Sequence, residues 1–252
     1  MNVMYSILIN LALFLVGYLL LGSFNTSIIL SRRVKNDDIR EHNSKNAGAT
    51  NSLRTYGTKF ALAVFAADVL KTLIPILIIA AIVNHIQAVK EFSLISYISP
   101  QAIGLGVVLG HIFPIYYKFK GGKGAACTVG LIISINIILF LIAFIIFLLI
   151  VGITKIVSLG SITVAFSLLL FVWMPWMVQG PVGYWPNAVE YANRFIPLSN
   201  YWFVSPIIYT LCALLVVVSH RDNFKRLINK TERKFSVKKV GLENKSCFFN
   251  LN

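Results

Sequence analysis

Three short stretches of this chain concentrate the side chains able to do chemistry. The first, "FKGGKGAAC" at residues 119–127, sets Lys123 among Gly121, Gly122 and Gly124. Glycines let a backbone approach a ligand closely or take positive φ, and the lysine adds a compact positive charge. A helix starting near Ala125 would aim its positive dipole end at the same place. This pattern suits an anion, and phosphate in particular. It is not a Walker A loop, because Tyr117 stands five residues before Gly122 and Gly124 follows Lys123 where Ser or Thr would be needed. A nucleotide-driven pump therefore finds no support.

The second stretch, "DDIREHNSKNAGATNSLRTYG" at residues 37–57, has little apolar content and reads as a polar loop without helical period. Ser44, Asn46, Gly48, Thr50 and Asn51 are small hydroxyl, amide and glycine residues that let backbone N–H groups converge on an anion. Arg54 adds a planar, permanently charged fork suited to phosphate. The third stretch, "SHRDNFKRLINKTERKF" at residues 219–235, follows the last apolar run. His220 and Asn223 share a face if that helix continues, and His220 is a candidate proton acceptor or hydrogen-bonding group. Arg221, Lys225 and Arg226 read better as contacts to lipid headgroups. Each stretch alone is also consistent with an ordinary polar connection. Three on one membrane face point to phosphate held at the membrane surface.

The rest of the chain must position them. Of 252 residues 57% are hydrophobic and only 13% charged, in apolar runs of bilayer length, which takes about 20 residues per helix. The fold class is an all-α integral membrane protein. A net charge of +14 is a common mark of nucleic-acid or anionic-lipid partners, but its placement favours membrane lipid and no nucleic acid. The basic residues gather at Arg32–Lys59, at Lys118–Lys123 and after His220, and the positive-inside rule puts all three groups on the cytoplasmic side. Spans are expected at about 4–31, 60–86, 102–117, 161–178 and 201–219, with 125–153 forming a hairpin of two shortened helices broken near Ser134 and Asn136. The total is seven, with a retained first helix, the N-terminus outside and the C-terminus cytoplasmic. Trp173, Trp176, Trp185 and Trp202 would form an aromatic belt at the outer side, flanking an interfacial loop at 179–200. Residues 1–235 form a single membrane domain, and 236–252 a basic, poorly ordered cytoplasmic tail. Cys127, Cys212 and Cys247 are odd in number and lack metal-ligand spacing, so neither a disulfide framework nor a metal site is expected. Within the spans, Asp68 and Lys71 lie three apart and should pair, since an isolated charge in a bilayer is costly; proton coupling is the functional alternative. His111 in "GHIFP" is expected to support the glycine loop.

At these residues the chain resembles the bacterial acyl-phosphate:glycerol-3-phosphate acyltransferases, the PlsY type of membrane enzyme, from "LLGSFNTSI" through "HRDNFKRL". The resemblance implies a seven-helix membrane fold in the bacterial plasma membrane with its active site on the cytoplasmic face. It also implies a reaction: transfer of a fatty acyl group from acyl phosphate to the 1-hydroxyl of sn-glycerol 3-phosphate. The products are lysophosphatidic acid and inorganic phosphate, early in phospholipid biosynthesis, with no cofactor or metal. Carried over to matching positions, the first motif contributes Ser44, Thr50, Asn51 and Arg54, and the second Gly121, Gly122, Lys123 and Gly124. His220, Asn223 and Glu232 come from the third, and "KIVSLGSI" adds Ser158 and Ser161 as candidates for the phosphate site. Ser44, Arg54, Lys123, His220 and Asn223 are the expected catalytic group; Thr50, Asn51, the three glycines and the two serines bind acyl phosphate; His220, Asn223 and Glu232 bind glycerol phosphate. The enzyme that supplies acyl phosphate is a candidate partner. Four positions depart from the family pattern: Asn25 stands where proline is usual, and Asn43, Lys45 and Lys230 where glycine is common.

An acyl phosphate carries a good leaving group, so positioning and charge stabilisation can suffice without a covalent intermediate. The proton acceptor is His220, the leaving phosphate or the phosphate of the second substrate. None of the four histidines has Asp five positions on, which weakens an acyl-thioester reading. A transporter of phosphorylated metabolites would gather polar groups near the midplane, and a lipid-binding scaffold would leave the glycine spacing unexplained.

Overall fold

The computed structural model describes residues 3–178 and 201–234. Among these, every regular element is helical. Helix α1 (Val3–Val16) runs through a π-helical turn (Gly17–Gly22) to α2 (Thr26–Lys35), and α3 (Ala49–Tyr56) leads into the long α4 (Thr58–His85). Then come α5 (Gln87–Ile95), α6 (Gln101–Ile112), α7 (Ala125–Ile135), α8 (Ile137–Thr154), α9 (Val157–Val172) and α10 (Pro175–Val178). Helices α11 (Val204–Ser219) and α12 (Arg221–Ile228) complete the order. Three stretches are long and apolar enough to cross a membrane, Val3–Lys35, Thr58–His85 and Ile137–Thr154. Helices α6, α7 and α9 are apolar but shorter, and α11 with α12 forms a pair bent by 56°. Trp185, the segment 179–200, Cys247 and the tail 236–252 lie outside the described residues.

Helix α6 is the central post, with Ile103, Val107, Val108 and Ile112 inside the main apolar cluster. The turn Gly17–Gly22 meets it backbone to backbone: a Cβ on Gly17 would lie 2.1 Å from the Ile103 carbonyl oxygen, and one on Gly106 2.1 Å from that of Phe14. No other residue type fits such an approach. The outer helices behave oppositely. Helix α8 exposes Leu141, Phe144, Ile145, Leu148, Leu149 and Ile153, an apolar surface that water would not tolerate and that hydrocarbon accepts.

The first span expected at about 4–31 falls within the apolar stretch Val3–Lys35, where a π-helical turn and a restart at Asn25, whose Oδ1 accepts the Ile28 amide at 3.2 Å, interrupt the α-helix. Within 125–153 the break falls at Asn136. Its backbone is extended there, its Oδ1 accepts from Ile138 N at 2.8 Å, and its Nδ2 donates to the Met177 carbonyl at 2.8 Å. At the far end of the α9–α11 pair, Trp173 meets Trp202 edge-on at 6.3 Å and donates to Thr210 Oγ1 at 3.1 Å.

Candidate active site

The first polar stretch folds around a few buried hydrogen bonds. Asp38 caps a 3₁₀ turn at Ile39–Glu41, and Arg40 grips the Asp38 carboxylate at 3.0 and 2.7 Å while reaching the Tyr117 carbonyl at 3.2 Å. Asn51 is buried; its Nδ2 donates to the carbonyls of Ile39 and His42 at 2.9 and 3.1 Å, and its Oδ1 accepts from Ser44 N at 3.2 Å. The structure thus uses the whole Asn51 amide to shape the loop. A loop without helical period was expected here; instead residues from Ala49 onward form α3, which carries Thr50 and Arg54. Ser44 Oγ, Thr50 Oγ1 and the half-buried Arg54 guanidinium have no hydrogen bond among the described residues, which leaves them available to a ligand. Asn43 and Lys45 sit at φ of 45° and 55°, the left-handed region in which glycine is at ease.

The glycine loop is zipped onto the end of α6. Gly121 N donates to the Ile112 carbonyl at 3.2 Å and Gly122 N to that of His111 at 3.0 Å, while Ala47 N donates to the Gly121 carbonyl at 3.2 Å. Two of the amides that the sequence offers to an anion are therefore closed into the turn. Gly124, at φ 77°, starts α7, and Lys123 stands just before it, so its positive charge and the positive end of the helix dipole lie together, an arrangement that suits an anion.

The third stretch meets it. The α11 helix stops at His220 and the chain turns by 56° into α12, so His220 and Asn223 lie on two short arms around one corner, both buried. Ser219 Oγ donates to the Lys123 carbonyl at 2.9 Å, and Lys123 Nζ donates to Asn223 Oδ1. Asn223 Nδ2 donates to Glu232 Oε1 at 2.7 Å, Ser158 Oγ to the same oxygen at 3.0 Å, and Arg226 Nε to Glu232 Oε2 at 2.7 Å. Glu232 reaches back because α12 ends in a tight reversal: Thr231 N bonds to the Arg226 carbonyl at 2.8 Å and Lys230 N to that of Leu227 at 3.1 Å, with Lys230 at φ 56°. That pair of bonds is the Schellman arrangement, which favours glycine at the Lys230 position. The headgroup role expected of Arg226 is corrected by its ion pair with Glu232, whereas Arg221 and Lys225 remain exposed. Ser161 bonds within its own helix, to the Val157 carbonyl at 3.2 Å.

The charges bear on what this pocket can hold. Burial, followed by the fields of Arg226 and Arg54, pushes the Lys123 ammonium down to about 8, against opposing pulls from Glu232 and Asp222. Arg54 is lowered by burial and by Arg233 and Arg226, with Glu232 opposing. For Glu232, burial opposes ionisation, but hydrogen bonds from Arg226, Asn223 and Ser158 outweigh it and hold the carboxyl low. Burial and then Lys123 push His220 down to about 4. Its imidazole is therefore neutral. With Nδ1 donating to the Val216 carbonyl at 2.8 Å, Nε2 is left as an acceptor. Three cations gather round one carboxylate in a partly dry corner, an arrangement that an incoming dianion would relieve. Ser44 on the adjoining loop and Thr50 on α3 make no hydrogen bond to Lys123. Ser219 and Arg226 were not identified as site residues from sequence, since nothing local marks them.

Residues 11–230 match the family model described as glycerol-3-phosphate acyltransferase. A glycerol-3-phosphate acyltransferase of Mycoplasmopsis agalactiae (strain NCTC 10123 / CIP 59.7 / PG2) is 86% identical over 240 residues, covering 95% of this chain and all of that protein. One from Mycoplasmopsis synoviae (strain 53) is 40% identical with the same coverage. The crystal structure of PlsY, an integral membrane glycerol 3-phosphate acyltransferase, in its glycerol 3-phosphate form is similar with a TM-score of 0.67 at 30% identity, over 90% of this chain and 96% of that one. Its lysophosphatidic acid form gives 0.66 at 28%. On these matches, the chain belongs to the glycerol-3-phosphate acyltransferase family of integral membrane enzymes.

Proposed function

We propose that the acyl donor is an acyl phosphate and that the 1-hydroxyl of glycerol 3-phosphate attacks its carbonyl, giving lysophosphatidic acid and inorganic phosphate. The observation that carries this reading is the convergence of Lys123, Arg54 and Arg226 around Asn223 and Glu232. Lys123, Arg54 and Ser44 neutralise the departing phosphate as charge grows on the bridging oxygen. His220 and Asn223 orient glycerol 3-phosphate, and Glu232 acts by holding Asn223, Arg226 and Ser158 in place. Thr50, Gly124 and Ser161 border the acyl-phosphate head. The hydroxyl proton ends on the leaving phosphate, because an imidazole pushed to about 4 is a weaker base than a phosphate dianion with a second pKa of about 6. Seven crossings, the N-terminus outside and this pocket at the cytoplasmic face of the bacterial plasma membrane complete the reading, with residues 1–235 as one domain. The neighbouring enzyme that makes acyl phosphate is a partner of this arrangement.

The test is phosphate release from palmitoyl phosphate by the purified protein in lipid vesicles. Release should require glycerol 3-phosphate, and turnover with acyl-CoA alone would overturn the donor assignment. Lys123→Ala and Arg54→Ala should each lose about two to three decades of rate, as expected for removing a charge-assisted contact in a transition state. His220→Gln should lose only about ten-fold, less than the loss typical of a true general base.

A further inference from the structure

Behind the glycine loop lies a buried ionic cluster that the reaction does not touch. Asp68 and Lys71, one turn apart on α4, pair at 2.8 Å, and Lys71 Nζ also lies 3.1 Å from His111 Nδ1. The Asp68 side chain is 1% exposed. Well-packed apolar residues would stabilise such a site as well or better, so a buried ion pair needs a reason besides stability. Ligand atoms of Asp68, His111 and Cys127 fall within 4.8 Å of one another, a spacing that a metal ion could use. The Lys71 ammonium, close to two of these three groups, already supplies the cation.

Two routes lead from this cluster to the phosphate loops. Through His111, the backbone carbonyl accepts the Gly122 amide, and the imidazole packs so tightly that a Cβ on Gly122 would lie 2.0 Å from Nε2. Gly122 is the neighbour of Lys123. Through Thr26, whose Oγ1 donates to Asp68 Oδ1 at 3.0 Å, the second route passes to Asn25. The Asn25 Nδ2 donates to the Ala47 carbonyl at 3.3 Å, and Ala47 N in turn donates to the Gly121 carbonyl. The two routes meet and close a ring through α4, the start of α2, the first polar loop, the glycine loop and the end of α6. Ser27 adds a strut, its hydroxyl 2.9 Å from that of Ser52 on the helix that carries Arg54.

We propose that Thr26, Asp68, Lys71 and His111 are positioning residues for acyl transfer, holding the two phosphate loops in register so that Lys123 and Arg54 face one phosphoryl group. The proposal rests on the phosphate-site reading above. Asp68→Asn is the obvious variant but risks the fold, so Thr26→Val, which removes one hydrogen bond at nearly constant volume, is the sharper one. In vesicles with palmitoyl phosphate and glycerol 3-phosphate, Thr26→Val should lower kcat by about ten- to a hundred-fold, the scale of a small misplacement, with its melting temperature close to the parent's. Its alkaline rate limb should move upward from about 8 as water reaches a loosened Lys123. Thr26→Ser should restore both. A Thr26→Val enzyme with the parent's rate per folded molecule and an unmoved limb overturns the proposal, as does failure of Thr26→Ser to restore them. Lys123→Ala run beside them separates the two readings: a parental rate there removes the phosphate site itself, whereas a dead Lys123→Ala with an unaffected Thr26→Val removes only the positioning role.

Discussion

Lys123 is held between two opposing demands, a dry surrounding with like charges nearby and a task that needs its proton. Above about 8 the free enzyme's amine is neutral, so kcat/KM should fall as pH rises through that value, because this parameter reports the free enzyme. Bound phosphate returns a counter-charge, so the limb in kcat should lie higher. Stability moves the other way. An unfolded lysine keeps its proton up to about 10.5, so between about 8 and 10.5 the unfolded chain binds more protons and folding is favoured by rising pH. Protein that melts higher but reacts more slowly across this window is the expected signature; parallel pH profiles of rate and melting temperature in detergent check it. Lys123 and Arg54 were legible in sequence because charge and glycine mark them, and His220 and Asn223 because they lie three apart at the end of the last apolar run. Ser158 and Glu232 came only from resemblance. Arg226 was misread as a headgroup contact because its partner arrives by a reversal six residues on, and nothing in "KRLINK" announces the fold-back.

Among the elements, that reversal carries a cost. Lys230 at φ 56° and Lys45 at φ 55° are held in a region that disfavours a side chain by about 1–2 kcal/mol and suits glycine. Lys230→Gly should stabilise the protein by about 1 kcal/mol without loss of acyl transfer, read as a shift in denaturant midpoint; a destabilised variant would mean that the Lys230 side chain contributes more than its backbone costs. The break at Asn136 was legible, since a polar pair in an apolar run has few other uses. Helix α3 was not: it has eight residues and starts at Gly48 with no side-chain cap, too short to display a period. The π-helical turn was hidden too, because "GYLLLG" is as apolar as its neighbours and its winding comes from contact with α6.

On the scale of the molecule, the polar pocket and a tryptophan pair lie at opposite ends of one helix pair. Ser158 and His220, at the start of α9 and the end of α11, sit with Lys123, while Trp173 and Trp202 meet at the opposite ends of the same helices, about 24 Å away for 16 residues. The proposed orientation can be read by labelling. In a Cys247→Ser background, with Cys127 and Cys212 buried, a membrane-impermeant thiol reagent added to intact cells should modify His85→Cys at the far end of α4 and spare Lys155→Cys beside the pocket. Labelling of Lys155→Cys alone would invert the topology. The glycine contacts around α6 bear on the pocket too. With backbone pressed on backbone at Gly17 and Gly106, that helix has no clearance for a side chain at either position. The glycine loop hangs from the end of the same helix, so a side chain added at either glycine would displace Lys123 as well.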